Sequence, residues 1–261
     1  MSLAPRTERV PRGYYYSFAQ NEHDVLDSLA LRHRVFVEEM GARIEPGPAG
    51  IETDALDEYC LHLIVRERAT DRAIASTRIL THEAAIAAGG FYSAAEFDID
   101  RILATPGRFL EIGRTCVDAA HRSGGAIAVL WNGLADLIRA DDYDHLIGCA
   151  SIDLRDGLDR AHAICRDILA RQPVSATSRV APKRALPAAS NRLARAVRLP
   201  PLIKAYLRLG ARVGGPPCYD PDFGVADVFM HVDVARLSPR YARHFLGTVR
   251  TPEDEELRLT A

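Results

Sequence analysis

The chain has 261 residues, 48% hydrophobic, 26% charged and 7% aromatic, with a formal net charge of −2. This is globular composition in a chain long enough for a sizeable core, which excludes collagen, coiled coil and wholesale disorder. No apolar run approaches the roughly 18 to 20 residues that a bilayer span needs.

Residues 1–16 carry three arginines but no apolar stretch of the kind a secretory leader has, so residues 1–19 read as an N-terminal extension. A first helix is expected from about Asp24 to Met40, where Val25, Leu29, Phe36 and Met40 recur at helical spacing before Gly41. The Gly/Pro loop 45–50 and an acidic stretch with Asp54 and Asp57 follow. Tyr59 to Arg68 and Ala73 to Leu80 read as a hairpin joined by the polar turn 69–72. Phe109 to Asp118 reads as a strand, Ala126 to Ala140 as a helix, His145 to Ile152 as a buried strand and Gly157 to Arg171 as a further helix. Residues 173–200, with prolines, small residues and regular arginines, look like an insertion. A helix from about Pro201 to Arg212, a strand from Gly224 to Ala235, a helix from Pro239 to Leu246 and a polar tail from 251 complete the series. The alternation predicts one mixed α/β (α+β) domain over 20–250, a twisted central sheet with helices on both faces.

Charge is lopsided. Ile168 to Tyr219 holds ten cations and no acid, so the remainder has 23 cations against 35 acids, a net charge of −12. Aromatics are almost absent from the basic segment, which argues against nucleic acid. Two readings stay open: a solvated charged face, or attraction to an acidic macromolecule or anionic lipid. Arg192, Arg195 and Arg198 recur every three residues ahead of an amphipathic stretch with Lys204 and Arg208, a combination suited to lying on a surface. Five cysteines, odd in number and widely spaced, and nine scattered histidines indicate reduced thiols in a cytoplasmic protein and no metal centre.

Arg32 falls on the apolar stripe of the first helix. It is either a snorkelling side chain at the stripe edge or a buried guanidinium, which would need carboxylates such as Asp54 and Asp57. Arg78 lies in a strand of small and apolar residues. In Leu110-Glu111-Ile112-Gly113-Arg114-Thr115, strand parity puts Glu111 and Arg114 on opposite faces. A β-bulge near Gly113 would bring them together and free a backbone N–H beside a carboxylate. That pairing suits acyl transfer, with an oxyanion donor next to a base; the alternative is a surface strand with ordinary charges.

Arg32-x-x-x-Phe36, Asp54-x-x-Asp57, Arg78 and Glu111-x-x-Arg114 resemble, in order and spacing, the acyl-homoserine lactone synthases and related N-acyltransferases of the GNAT fold. Lactone synthases carry a tryptophan soon after the first motif, where this chain has Gly41-Ala42-Arg43 and its only tryptophan is Trp131. The stretches 34–41, 109–114 and 202–210 are more similar to the ornithine-lipid N-acyltransferases. That resemblance, over roughly residues 20–235, implies a GNAT-like sheet and transfer of a 3-hydroxyacyl chain from acyl carrier protein to the α-amine of ornithine. No resident cofactor is implied, because the donor brings its own phosphopantetheine. It implies a catalytic set of Glu111, Gly113 and Arg114, and an amino-acid pocket of Arg32, Phe36, Asp54, Asp57, Arg78 and Thr115, although the network of Arg32, Arg78 and Arg114 with Asp54 and Asp57 reads equally well as a scaffold that never touches substrate. His121, Gly124, Gly125 and Ala126 would hold the pantetheine phosphate at a helix N-terminus. Arg192, Arg195, Arg198, Lys204 and Arg208 would meet acyl carrier protein and the anionic membrane surface. The rival readings are a lactone synthase or other N-acyl amino acid synthase, and a non-catalytic carrier-protein or membrane-binding module.

Overall fold

The computed structural model describes residues 13–44, 49–122, 125–171, 174, 178–189 and 198–237. The expected helix 239–246, the tail, Gly124, Arg192 and Arg195 lie outside them. In chain order the elements are β1 (Tyr14–Phe18), α1 (Glu22–Arg32), a π-helical stretch His33–Glu39, β2 (Leu61–Glu67), β3 (Ala73–Thr81), α2 (His82–Ala88), α3 (Ser93–Glu96), β4 (Phe97–Asp98), α4 (Asp100–Leu103), β5 (Phe109–Val117), α5 (Ala126–Asp141), β6 (His145–Asp153), α6 (Leu158–Arg171), β7 (Ala181–Pro182), α7 (Pro201–Leu209), β8 (Arg212–Val213), β9 (Cys218–Asp220) and β10 (Val225–Asp233).

The eight-stranded sheet runs β1-β2-β3-β5-β6-β10-β8, with β9 also paired to β10. All pairings are antiparallel except β5 with β6. Alternation along each strand sends neighbours to opposite faces. Leu110 and Ile112 join the core under α5, α6 and α7, whereas Phe109 and Leu80 pack with Ala85, Phe97 and Ile102 under the short helices α2 to α4. Helix α1 covers the same side as the short helices, through Leu31, Val35 and Cys116. The result is the expected mixed sheet with helices on both faces.

Three features depart from the sequence expectation. Tyr14–Phe18, expected within an extension, is instead the edge strand β1, all five residues half-buried against β2. Its aromatic run has strong β preference. The first helix starts α-helical under an Asn21 cap but widens into a π-helix from His33 to Glu39, and Gly41 at φ +77° ends it. The described parts of the 173–212 segment are packed on the body rather than free of it. β7 pairs with β4, and Ile203, Tyr206 and Leu209 of α7 are buried. The apolar face of α7 therefore belongs to the protein core and only its cationic face points outward.

Strands β5 and β6 pair only over Phe109↔His145, Leu110↔Leu146 and Glu111↔Ile147, then part. Gly148 sits where they separate: a Cβ there would come within 2.3 Å of the Ile112 carbonyl oxygen. The parting opens a cavity lined by Ile112 to Thr115 on one strand and by Cys149 and Ser151 on the other.

Candidate active site

The bulge expected near Gly113 is present. Arg78 pairs with Gly113 and Ser76 with Cys116, so Arg114 and Thr115 together face Thr77. The extra residue inverts side-chain parity: Phe109 and Glu111 face the α1 side of the sheet, and beyond the bulge Cys116 does so too. Arg114 takes φ +50°, a left-handed conformation that residues other than glycine rarely adopt. Thr77 stabilises the bulge by donating its hydroxyl to the Gly113 carbonyl (3.1 Å). With that single proton committed, it accepts from the Thr115 hydroxyl at 2.7 Å.

Arg32 is 0% exposed, which settles it as a buried guanidinium. It belongs to a closed ring of three arginines and three carboxylates. Arg32 bonds Glu52 and Asp57, Arg78 bonds Asp54 and Asp57, and Arg114 bonds Glu52 and Asp54. Each charge bridges two of the opposite sign, so the ring is neutral within itself. Burial alone would weaken every charge here. The Arg32 guanidinium beside it nevertheless holds the Asp57 carboxyl well below the usual carboxylate range, aided by Arg78 and the Asp54 backbone N–H. Arg114 also lies over the rings of Tyr92 and Phe223, at 4.8 and 4.6 Å. Glu52 had no signal in the sequence, since it follows a Gly/Pro loop and lies on no periodic element.

Arg78, Arg114, Phe36, Glu111, Gly113 and Thr115 all line the cavity, while Arg32, Asp54 and Asp57 stand behind its wall. His121 bonds the Tyr14 hydroxyl through Nδ1 at 3.0 Å, and Gly125 caps α5 ahead of the buried Ala126.

Glu111 is 3% exposed. Its Oε1 accepts from the Ser93 N–H (2.8 Å) and the Ser93 hydroxyl (2.5 Å), and its Oε2 from the Tyr92 N–H (2.6 Å). Burial pushes its carboxyl pKa up, and those three donors pull the other way. Each carboxylate oxygen has two acceptor sites, so among the described residues Oε1 is filled and Oε2 accepts one bond of its two. None of the cavity thiols is activated: burial pushes Cys60 up to about 12 and Cys149 well above its ordinary value. Cys116, behind the bulge, is likewise pushed up to about 12. Trp131 packs on the core, edge-on to Tyr206 at 5.3 Å.

The family model described as Acetyltransferase (GNAT) domain matches residues 31–132, from Arg32's helix through the bulged strand into α5. In architecture the chain is similar to the AHL synthase LasI (TM-score 0.53, 12% identity, 91% of this chain and 97% of that one). It is comparably similar to the CoA-dependent acyl-homoserine lactone synthase MesI (TM-score 0.51, 14% identity, 91% and 97%). At those identities the likeness is one of fold. In sequence it is 36% identical over 237 residues to the L-ornithine N(alpha)-acyltransferase of Brucella abortus, covering 82% of each chain. It is 34% identical over 258 residues to that of Rhodobacter capsulatus, covering 92% of this chain and 97% of the relative. With near full-length identity on this scale and a GNAT sheet that parts around a buried glutamate, the chain belongs to the L-ornithine N(alpha)-acyltransferase family.

Proposed function

We propose that the protein transfers a 3-hydroxyacyl chain from the phosphopantetheine thiol of acyl carrier protein to the α-amine of ornithine, giving a lyso-ornithine lipid. The observation that carries the mechanism is Glu111, buried where β5 and β6 part, with Oε2 accepting one bond of its two among the described residues. An α-ammonium must lose a proton before it can attack, and Oε2 takes it, directly or through one water. The free amine attacks the thioester carbonyl, whose oxygen becomes an oxyanion held by backbone N–H groups of the Gly113 to Thr115 bulge. Collapse breaks the C–S bond and forms the amide; the departing thiolate takes up the proton that the nitrogen still carries. No thiol of the enzyme enters this sequence, in keeping with the raised pKa values of Cys60 and Cys149.

The thioester arm would enter through the parted strands, its phosphate near His121 and Gly125 and its carrier on the cationic face of α7. Lys204 and Arg208 are exposed one turn apart, and Arg198 is exposed just ahead of the helix. None of the three pairs with a described acid, and Leu202 of the same helix lines the cavity. Acyl carrier proteins are acidic, and an anionic membrane surface would attract the same face as the product leaves.

The test is purified protein with 3-hydroxyacyl carrier protein and ornithine, following free thiol and the mass of the product. Thiol release that requires ornithine, with an N-acyl-ornithine product, is expected. A lactone formed from S-adenosylmethionine would favour the lactone-synthase reading, and carrier binding without turnover would favour a non-catalytic module.

A further inference from the structure

Besides the arginines, the cavity has a second set of charged lining residues that the mechanism above does not use. Asp220 and Asp227 line it, and carboxylate oxygens of Glu96, Asp220 and Asp227 lie within 4.8 Å of one another. Glu96 is 9% exposed, and neither of its oxygens has a hydrogen-bond partner among the described residues. The Tyr92 hydroxyl and Cys149 thiol approach it without reaching hydrogen-bond geometry. Asp227 is also buried and accepts from the Ser151 hydroxyl at 2.6 Å. Asp220 accepts from the backbone N–H groups of Asp222 and Phe223.

Three acids, two of them buried, converging without a bonded cation among the described residues are costly, and an unpartnered carboxylate adds to that cost. The nearby guanidinium of Arg114 is already bonded to Glu52 and Asp54. Burial pushes the Glu96 and Asp227 carboxyls upward, and the charge of Glu96 raises Asp227 further. A cation supplied from outside would relieve all of this.

Building on the acyltransfer reading, we infer that Glu96, Asp220 and Asp227 bind the side-chain ammonium of a diamino acid acceptor and so select it. Spacing on α3 supports the assignment. Ser93, which donates twice to Glu111, and Glu96 are three residues apart on that helix, so their Cβ atoms are about 5–6 Å apart on one side. The two nitrogens of a diamino acid with three side-chain methylenes are roughly 6 Å apart when extended, by ordinary bond lengths. One ammonium seated among the acids leaves the α-amine at Glu111. A neutral side chain of the same length would leave the Glu96 carboxylate unpartnered and the three acids without a counter-charge, the kind of mismatch that enzymes reject strongly.

The experiment compares ornithine with norvaline, the same carbon chain lacking the terminal amine. It uses the full chain and two readouts: Kd by calorimetry without donor, and kcat/KM for thiol release from acyl carrier protein. The wild type is expected to prefer ornithine in both. Glu96→Gln and Asp227→Asn are each expected to reduce that preference by roughly ten- to a hundredfold, mainly through Kd and KM. Both variants also remove a buried like charge, so the free protein should melt higher than wild type. If either fails to fold, Asp220→Asn at its half-buried position gives the same reading. Folded variants that keep the wild-type preference would overturn the assignment. So would tight binding of manganese, titrated alone, that is lost in Asp227→Asn, since the cluster would then be a metal site. A wild type that binds ornithine over norvaline yet releases no thiol with any amino acid would refute acyltransfer while leaving the ammonium site standing.

Discussion

Replacing Arg32 by alanine removes a guanidinium that is wholly buried and makes three hydrogen bonds to two carboxylates. Glu52 keeps only Arg114 Nε at 3.2 Å, and Asp57 keeps Arg78 Nη1 at 3.1 Å with the Thr53 hydroxyl and Asp54 N–H. The ring then holds three acids and two arginines, with the excess negative charge behind the cavity wall. Breaking a buried pair in this way costs about 3–5 kcal/mol. At roughly 2–4 °C per kcal/mol for a protein of this size, the melting temperature should fall by about 6–20 °C at pH 7. Because the folded-state pKa of Asp57 is depressed, its contribution is fully present above the unfolded value near 3.9, and is lost as pH falls below that. The gap between wild type and variant should therefore hold down to about pH 4 and narrow progressively below it. Calorimetric melts of Arg32→Ala, Glu52→Gln and the double variant give the coupling, expected to exceed about 1 kcal/mol for residues in one network. A fall of under about 2 °C, or additive single effects, would refute the ring as a stabilising unit.

Glu111→Gln should lower kcat by about 10²–10⁴ with single-turnover kinetics as the readout. It should also lower stability by about 1–3 kcal/mol in a thermal melt, because an amide NH₂ must face the N–H of either Tyr92 or Ser93. Iodoacetamide at pH 7.5 should leave activity intact for hours, since raised thiol pKa values keep Cys60, Cys116 and Cys149 protonated; rapid inactivation would point to a thiolate in the cycle. Changing Arg198, Lys204 and Arg208 to Glu should raise KM for acyl carrier protein at least tenfold at low salt and leave KM for ornithine unmoved. A carrier KM insensitive to both salt and charge would end the docking proposal.

The parts of the fold visible in the sequence are those with a local period. The helix to Met40 buries one face and shows it as helical spacing, while the 61–81 hairpin and the strands at 109 and 145 are short, mostly apolar runs buried largely on both faces, and either kind of burial writes itself into the residue pattern. The bulge could also be anticipated, because Glu111 and Arg114 are charged at positions whose parity conflicts. What escaped detection was set by convergence of distant segments. Glu52 is buried because α1, β3 and β5 bring three arginines to one place. The amides that hold Glu111 come from Tyr92 and Ser93, a short helix with no periodic face. Glu96, Asp220 and Asp227 come from three elements, and no spacing in one dimension marks their meeting. The Tyr14–Phe18 edge strand was missed for a different reason, since five residues half-buried on both sides show no alternation.

The same functional group is driven in opposite directions within one site, and the direction follows from whether a guanidinium bonds it directly. Asp57 lies between Arg32 and Arg78 and is held as a firm anion. Asp227 has a serine hydroxyl and two other acids for company, and is pushed toward protonation. An ion ring already balanced internally offers an incoming ligand little net charge, which fits a role in holding β3 and the bulged β5 against α1. An unbalanced cluster offers a great deal, but only to a cation small enough to enter the cavity. Selectivity for the acceptor then resides in the acids that no arginine neutralises, while the neutralised ones hold Arg114, at its positive φ, in the position that keeps the bulge and Glu111 on the same face.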